Sequence, residues 1–293
     1  MTEKFTGTGV ALVTPFDANN NIDFKALERI INHVINEGVE FIVALGTTGE
    51  NSTLGDEEKP EVVKHVIDFT NKRVPVVVGI GGNNTASVVK KINTYNLDNV
   101  AGILTVAPYY NKPTQQGLYQ HFSSIAVISP RPVILYNVPG RTSSNIEAKT
   151  VLQLARDHSN IVAVKEASGN MTQIMQIIKN KPPHFEVLSG DDAMTLPMIY
   201  LGAKGVISVV ANSHPKMFSE MVRAALENNR ILANQLHYNL LDYYTALFRE
   251  GNPAGIKSAL SIMKMCRKDV RLPLVQSSEQ LDNEIAQLIK KIG

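Results

Sequence analysis

The chain has 293 residues, 44% apolar and 19% charged, with 29 basic against 27 acidic side chains and a net charge of +2. This is ordinary globular composition, enough for one large α/β domain or two smaller ones. The charges are mixed along the chain, so no basic block suggests nucleic acid and no polybasic helix suggests a membrane surface. No apolar run approaches the roughly 18 residues of a spanning helix.

Cys266 is the only cysteine, which excludes an internal disulfide and a cysteine-based metal cluster. The seven histidines are scattered and form no HExxH pair. The stretch 1–7 lacks the apolar core of a signal peptide, so a cytoplasmic location is expected.

Apolar, strand-like runs recur at 10–13, 41–45, 74–80, 102–106, 133–136, 161–165, 185–188 and 205–210. Most are continuous rather than alternating, as in a parallel sheet covered on both faces. Helix-period segments lie between them. In 23–36, Phe24, Leu27, Ile30, Ile31 and Val34 share one face. The segment 56–71 carries acidic residues in its first turn, as the helix dipole favours. Gly79-Ile80-Gly81-Gly82-Asn83-Asn84 loosely echoes a dinucleotide loop. It has Asn where the third glycine belongs, and no acid ends the next strand to hold a ribose, so it reads as a tight turn. Helices are predicted over 217–227, 230–248, 253–265 and 279–292. The expected fold is an α/β (β/α)8 TIM barrel over 1–228 with a C-terminal helical domain over 229–293.

Lys165 closes the sixth apolar run. Desolvating an ammonium is expensive, so a lysine ending a buried strand is either paired or chemical. Desolvation favours the neutral amine, which is a nucleophile. A bridge to Glu166 is disfavoured, because adjacent strand residues point to opposite faces.

Barrels of this kind do chemistry where their strands end. Those ends carry Gly46-Thr47-Thr48-Gly49-Glu50, Tyr109-Tyr110-Asn111-Lys112-Pro113, Tyr136-Asn137-Val138-Pro139-Gly140-Arg141-Thr142, Lys165 and Ser189-Gly190-Asp191-Asp192. Each has a plain structural alternative: a capped turn, half-buried tyrosine packing, or an acid at a helix N-terminus. Five such segments on one face make coincidence a poor account. A lysine Schiff base needs a carbonyl substrate, and Thr47 and Thr48 with their amides suit the carboxylate of a 2-oxo acid. Tyrosine hydroxyls linked through a threonine can relay protons. Arg141 can hold a second carboxylate at the entrance. The residues therefore point to a class I aldolase or lyase needing no metal and no organic cofactor.

These five motifs, in this order, resemble the dihydrodipicolinate synthase family of the N-acetylneuraminate lyase superfamily, over essentially the whole chain. The resemblance implies condensation of pyruvate with L-aspartate 4-semialdehyde to 4-hydroxy-tetrahydrodipicolinate, the first committed step of lysine and diaminopimelate biosynthesis. It implies Lys165 as the Schiff-base lysine and Tyr136 as the acid/base above it. Thr47 would link Tyr136 to Tyr110, a tyrosine often supplied by a neighbouring subunit of a homotetramer built as a dimer of dimers. Thr48 would hold the pyruvate carboxylate and Arg141 the semialdehyde carboxylate, while Ile207, Gly190 and Asp191 would line the pocket. The alternative within the superfamily is an N-acetylneuraminate or 2-keto-3-deoxy-sugar-acid lyase. Arg141 directly after Tyr-Asn-x-Pro-Gly favours the synthase.

Lysine-inhibited members bind the effector between loops matching 51–59 and 83–87, near Tyr109. Asn83 and Tyr109 match that pattern. Asp56, Lys59 and Ser87 stand where such members carry histidines and a glutamate, so weak or absent feedback by L-lysine is expected.

Overall fold

The computed structural model describes residues 5–293; residues 1–4, part of the segment read as lacking a signal core, lie outside them. Eight strands pair in parallel and in chain order: β1 (Gly7–Ala11), β2 (Phe41–Ala44), β3 (Val76–Gly79), β4 (Gly102–Val106), β5 (Val133–Asn137), β6 (Ile161–Glu166), β7 (Glu186–Ser189) and β8 (Gly205–Ser208). Pairing of β1 with β8 closes the barrel. The outer helices are α1 (Phe24–Asn36), α2 (Glu58–Thr70), α3 (Thr85–Thr94), α4 (Gln115–Ile128), α5 (Pro139–Thr142), α6 (Ala148–Asp157), α7 (Met171–Asn180), α8 (Thr195–Tyr200) and α9 (Pro215–Leu226). Then follow α10 (Arg230–Phe248), α11 (Ala254–Ile262) and α12 (Glu279–Ile292). The (β/α)8 barrel with a helical C-terminus is therefore present. No helix among the described residues is long and apolar enough to cross a membrane.

Helix starts follow local chemistry. Asp23 accepts from Ala26 N, Asn84 from Ser87 N, Thr114 from Gly117 N and Asn170 from Gln173 N, each satisfying a backbone donor of the first turn. The Gly79–Asn84 segment thus ends as the cap of α3.

Only β4 matches its predicted span residue for residue; the others shift at one or both ends, and at two of them a contact explains the shift. The first begins upstream, at Gly7, where hydrophobicity gives no signal. Gly9 is required there because a Cβ would lie 2.2 Å from the Phe41 ring. The eighth ends at Ser208 rather than continuing, and Val210–Asn212 forms a 3-10 turn. Asp192 Oδ2 takes the Val209 and Val210 amides at 3.1 and 3.0 Å, which diverts the backbone out of the sheet.

The core has two layers. Ile30, Val66, Ile125, Val151, Ile177 and Phe218 belong to the layer between strands and helices. Inside the barrel, Ala11, Phe41, Val43, Val77, Leu104, Ile134, Tyr136, Val162, Ala163, Leu188 and Ile207 converge from all eight strands. Phe5 joins this inner cluster and packs edge-on to Phe41, with centroids 5.7 Å apart. The interior is filled below, which leaves open space only at the strand C-termini.

Buried ionisable groups set the acid response. Burial pushes His121 and His214 down to about 4, with His33 adding to the effect at His214. Both bind fewer protons folded than unfolded, so each favours folding above pH 6.5 and loses that contribution as pH falls through 4. Asp192 is pushed up to about 6 by burial, so its contribution is present below its unfolded value and lost as pH rises through 6. At roughly 3 kcal/mol per histidine, the pair outweighs the aspartate. Unfolding free energy in urea is expected to fall from pH 7 to pH 4.5, and more gently in His121→Gln. A flat or rising profile would contradict this assignment.

Candidate active site

The site begins with a phase change in β6. Ile161 packs in the outer layer, whereas Val162 and Ala163 both belong to the inner cluster, and Val164 is outer again. Pairing with β5 shows why: Val133 faces Ile161 but Ile134 faces Ala163, so β6 carries a bulge. A one-residue slip exchanges the faces of every later side chain. Without the bulge, Lys165 would point toward the helices. With it, Lys165 points inward and Glu166 outward.

Lys165 is 5% exposed, and its Nζ lies 4.3 Å from the centre of the Tyr136 ring. Tyr136 sits directly across the β5–β6 ladder from it. The lysine stem runs past Gly190, where a Cβ would stand 3.0 Å from Lys165 Cε and 2.7 Å from Ala167 Cβ. Only glycine leaves that passage open.

Tyr136 of this pair, though not Lys165 itself, lines a cavity of about 410 Å³, together with Gly46, Thr47, Val138, Arg141 and Thr142, and farther out Tyr109, Asn51, Lys59 and Lys91. Gly79 and Gly81 form its β3 wall. A Cβ at Gly79 would meet the Leu45 carbonyl at 2.1 Å, so this glycine permits close approach of two strand ends. Arg141 stands exposed on α5 at the mouth.

The threonine loop is tightly held. Gly49 N and Glu50 N donate to the Gly46 and Thr47 carbonyls, and Thr14 Oγ1 donates to Gly49 O at 2.8 Å. Thr47 faces the cavity, whereas Thr48 is buried behind it and accepts from Asn252 Nδ2 at 3.0 Å. Glu50 is wholly buried and pairs with Lys257 of α11, whose ammonium lies 4.1 Å from the Phe16 ring centre. The C-terminal helices are thus bonded to the loop that carries both threonines.

Of the remaining sequence candidates, Ile207 lies in the inner cluster with Tyr136. Asp191 is exposed and its Oδ1 takes the Ala193 and Met194 amides, so its carboxylate serves as a cap. Tyr110 does not reach this cavity: it is 88% exposed with φ of +75°. Its loop is pinned by Asn83 Nδ2 on Tyr109 O and Asn111 Nδ2 on Asn83 O. Among the described residues no hydrogen bond joins Thr47 to Tyr136 or Tyr110, so one chain does not close the relay. Burial pushes the Cys266 thiol up to about 11, in keeping with an inert apolar residue.

The model of the dihydrodipicolinate synthetase family matches residues 4–292. The chain belongs to that family. It is 49% identical over 291 residues to the 4-hydroxy-tetrahydrodipicolinate synthase of Flavobacterium psychrophilum, with 99% of each chain covered. The crystal structure of dihydrodipicolinate synthase from Aquifex aeolicus superposes with a TM-score of 0.95 at 42% identity, covering 98% of both chains. A monomeric dihydrodipicolinate synthase variant superposes with a TM-score of 0.97 at 36% identity, covering 100% of this chain and 98% of that one. Family membership thus agrees with the motif reading. The structure brings in further residues that the motifs did not single out: Asn252 on Thr48, Lys257 on Glu50, and Asn145 and Gln173, which join Asn137 around Glu166. Lys257 left a signal, since a charge beside Ile256, Ala259 and Leu260 on a buried helix demands a partner.

Proposed function

We propose that the chain is a Schiff-base-forming lyase that condenses pyruvate with L-aspartate 4-semialdehyde to give 4-hydroxy-tetrahydrodipicolinate. The observation that carries this reading is the inward-pointing Lys165, whose Nζ lies 4.3 Å from the ring of Tyr136, a residue that lines the cavity at the strand ends. Lys165 Nζ adds to the pyruvate ketone, and the carbinolamine loses water to form the imine. Loss of a methyl proton gives the enamine, whose carbon attacks the aldehyde. The amine of the semialdehyde unit then displaces Lys165 and closes the ring. Tyr136 serves as acid and base for these proton transfers. The Thr47 hydroxyl and the amides of Thr47 and Thr48 hold the pyruvate carboxylate, with the Thr48 side chain fixing the loop through Asn252; Arg141 holds the carboxylate of the semialdehyde, and Ile207, Gly190 and the Asp191 backbone border the pocket.

A coupled assay with both substrates tests the reading, together with borohydride trapping of pyruvate. Turnover of sialic acid instead of the semialdehyde would transfer the chain to the alternative lyase class. The cytoplasm is the proposed compartment, with 1–228 as barrel and 229–293 as helical domain.

The exposed, left-handed Tyr110 supports supply of this residue to a neighbour's cavity, within a homotetramer built as a dimer of dimers. Activity per chain is then expected to fall on dilution to monomer. Full activity of a dilute monomer would rule out supply in trans.

Feedback by L-lysine is expected to be weak. Lys59 and Lys91 line the outer cavity, and Asp56, the carboxylate nearest them, is already 3.3 and 3.6 Å from their ammoniums. A cationic effector would meet two like charges and an occupied counter-charge. Sub-millimolar L-lysine should leave the initial rate unchanged, and half-inhibition in that range would refute the expectation.

A further inference from the structure

Glu166 is 1% exposed, and the groups bonded to it are neutral donors. Asn137 Nδ2 reaches its two oxygens at 3.1 and 3.2 Å, Gln173 Nε2 donates at 3.1 Å and Ser168 N at 2.9 Å. A buried acid held without a cation is an expensive residue. Burial pushes its pKa up, against the pull of these donors.

The polarity of the group is fixed from one end. Asn137 Oδ1 must accept from Ile146 N at 2.9 Å, so Asn137 Nδ2 must donate, to Glu166 and to Asn145 Oδ1 at 2.9 Å. Asn145 Nδ2 in turn donates to Gln173 Oε1 at 2.9 Å, and Gln173 Nε2 is left for Glu166. Every amide is oriented by the previous one, and position 166 receives donors from all sides. Only an acceptor-only side chain satisfies it. A glutamine there would force Gln173 and then Asn145 to flip, and the conflict would end as Nδ2 against Nδ2 at Asn137.

This network lies one residue from the reactive pair. Asn137 and Glu166 are opposite each other on the ladder, immediately after the opposed Tyr136 and Lys165. Ala167 N donates to Asn137 O, and Gly190 N donates to Glu166 O, placing Gly190 against the Lys165 stem. Fixing the outward pair fixes the backbone that aims the inward pair. Asn145 and Ile146 also anchor the segment that follows Arg141.

We propose that Glu166 is a positioning residue: as a carboxylate it locks the Asn137–Asn145–Gln173 ring and thereby holds Lys165 against Tyr136. This rests on Lys165 as the Schiff-base lysine, which borohydride trapping of pyruvate on the unaltered enzyme tests separately. Absence of that adduct would fail the functional reading itself.

The decisive measurement is kcat per active site, with sites counted by the pyruvate adduct trapped at Lys165. In Glu166→Gln it should fall roughly 10- to 100-fold, the scale of a small misplacement of reacting groups, while KM for pyruvate changes little. The double variant Glu166→Gln with Gln173→Glu restores a donor facing an acceptor, so it should recover most of the loss. Gln173→Ala removes a single donor; it keeps the test available if Glu166→Gln does not fold, and should lower kcat per site severalfold. A purely structural role would lower melting temperature and the number of trapped sites but leave kcat per site unchanged. Unchanged kcat per site in Glu166→Gln or Gln173→Ala, or no recovery in the double variant, would overturn the proposal.

Discussion

Lys165→Ala should abolish covalent capture of pyruvate and, with it, turnover. The side chain supplies the amine that adds to the ketone: Tyr136 faces it, Gly190 flanks its stem and the barrel below is packed with apolar side chains, while Lys59 and Lys91 elsewhere on the cavity wall are held as ammoniums by Asp56. The loss should be chemical rather than structural. Removing a lysine from a site 5% exposed leaves space beneath an existing cavity and removes the cost of burying its charged form, so folding should survive. Mass spectrometry after borohydride reduction would show a pyruvate adduct on the unaltered chain and none on the variant. An adduct of the same mass on Lys165→Ala would assign the nucleophile elsewhere.

Tyr136→Phe should lose roughly two orders of magnitude or more in rate, the range expected when a general acid/base is removed. The ring packs with Ile134, Leu104 and Ile207 in the inner cluster, so phenylalanine keeps the shape and removes only the hydroxyl. Pyruvate should still bind, because the threonine loop that would hold its carboxylate belongs to a different strand end. The expected signature is therefore a low kcat with slow but detectable adduct formation. A variant running at the unaltered rate would remove Tyr136 from proton transfer and leave it a packing role beside Lys165.

Much of this molecule was legible in the sequence because parallel strands buried on both faces are continuous apolar runs, and helices between them have a 3.6-residue period. The predicted 230–248 and 279–292 helices match α10 and α12 residue for residue. The predicted first strand starts later than β1 because Gly7, Thr8 and Gly9 have no hydrophobic signature. Their position follows from the Phe41 ring that fills the space above Gly9. The predicted eighth strand runs past β8 because Asp192, outside that run, takes the amides that would continue it.

For the site, residue chemistry singled out Lys165, Tyr136, Thr47, Thr48 and Arg141, because burying or clustering such groups at strand ends has few uses. Eight strands alternating with helices also pointed to a barrel, while the closed, sequential strand order is set by pairing between β1 and β8. Only the tertiary structure decided which way Lys165 points. Four apolar residues before a lysine do not reveal a bulge; the phase of the side chains depends on how β6 registers against β5, and that register comes from packing. The same holds for Thr48 and Glu50, reached by Asn252 and Lys257 from about 200 residues away. It holds too for Glu166, whose network is built from the end of β5, the loop after α5 and helix α7. Local propensity acts over a few residues, whereas facing direction and polar partnership are set by contacts that exist only once the barrel has closed.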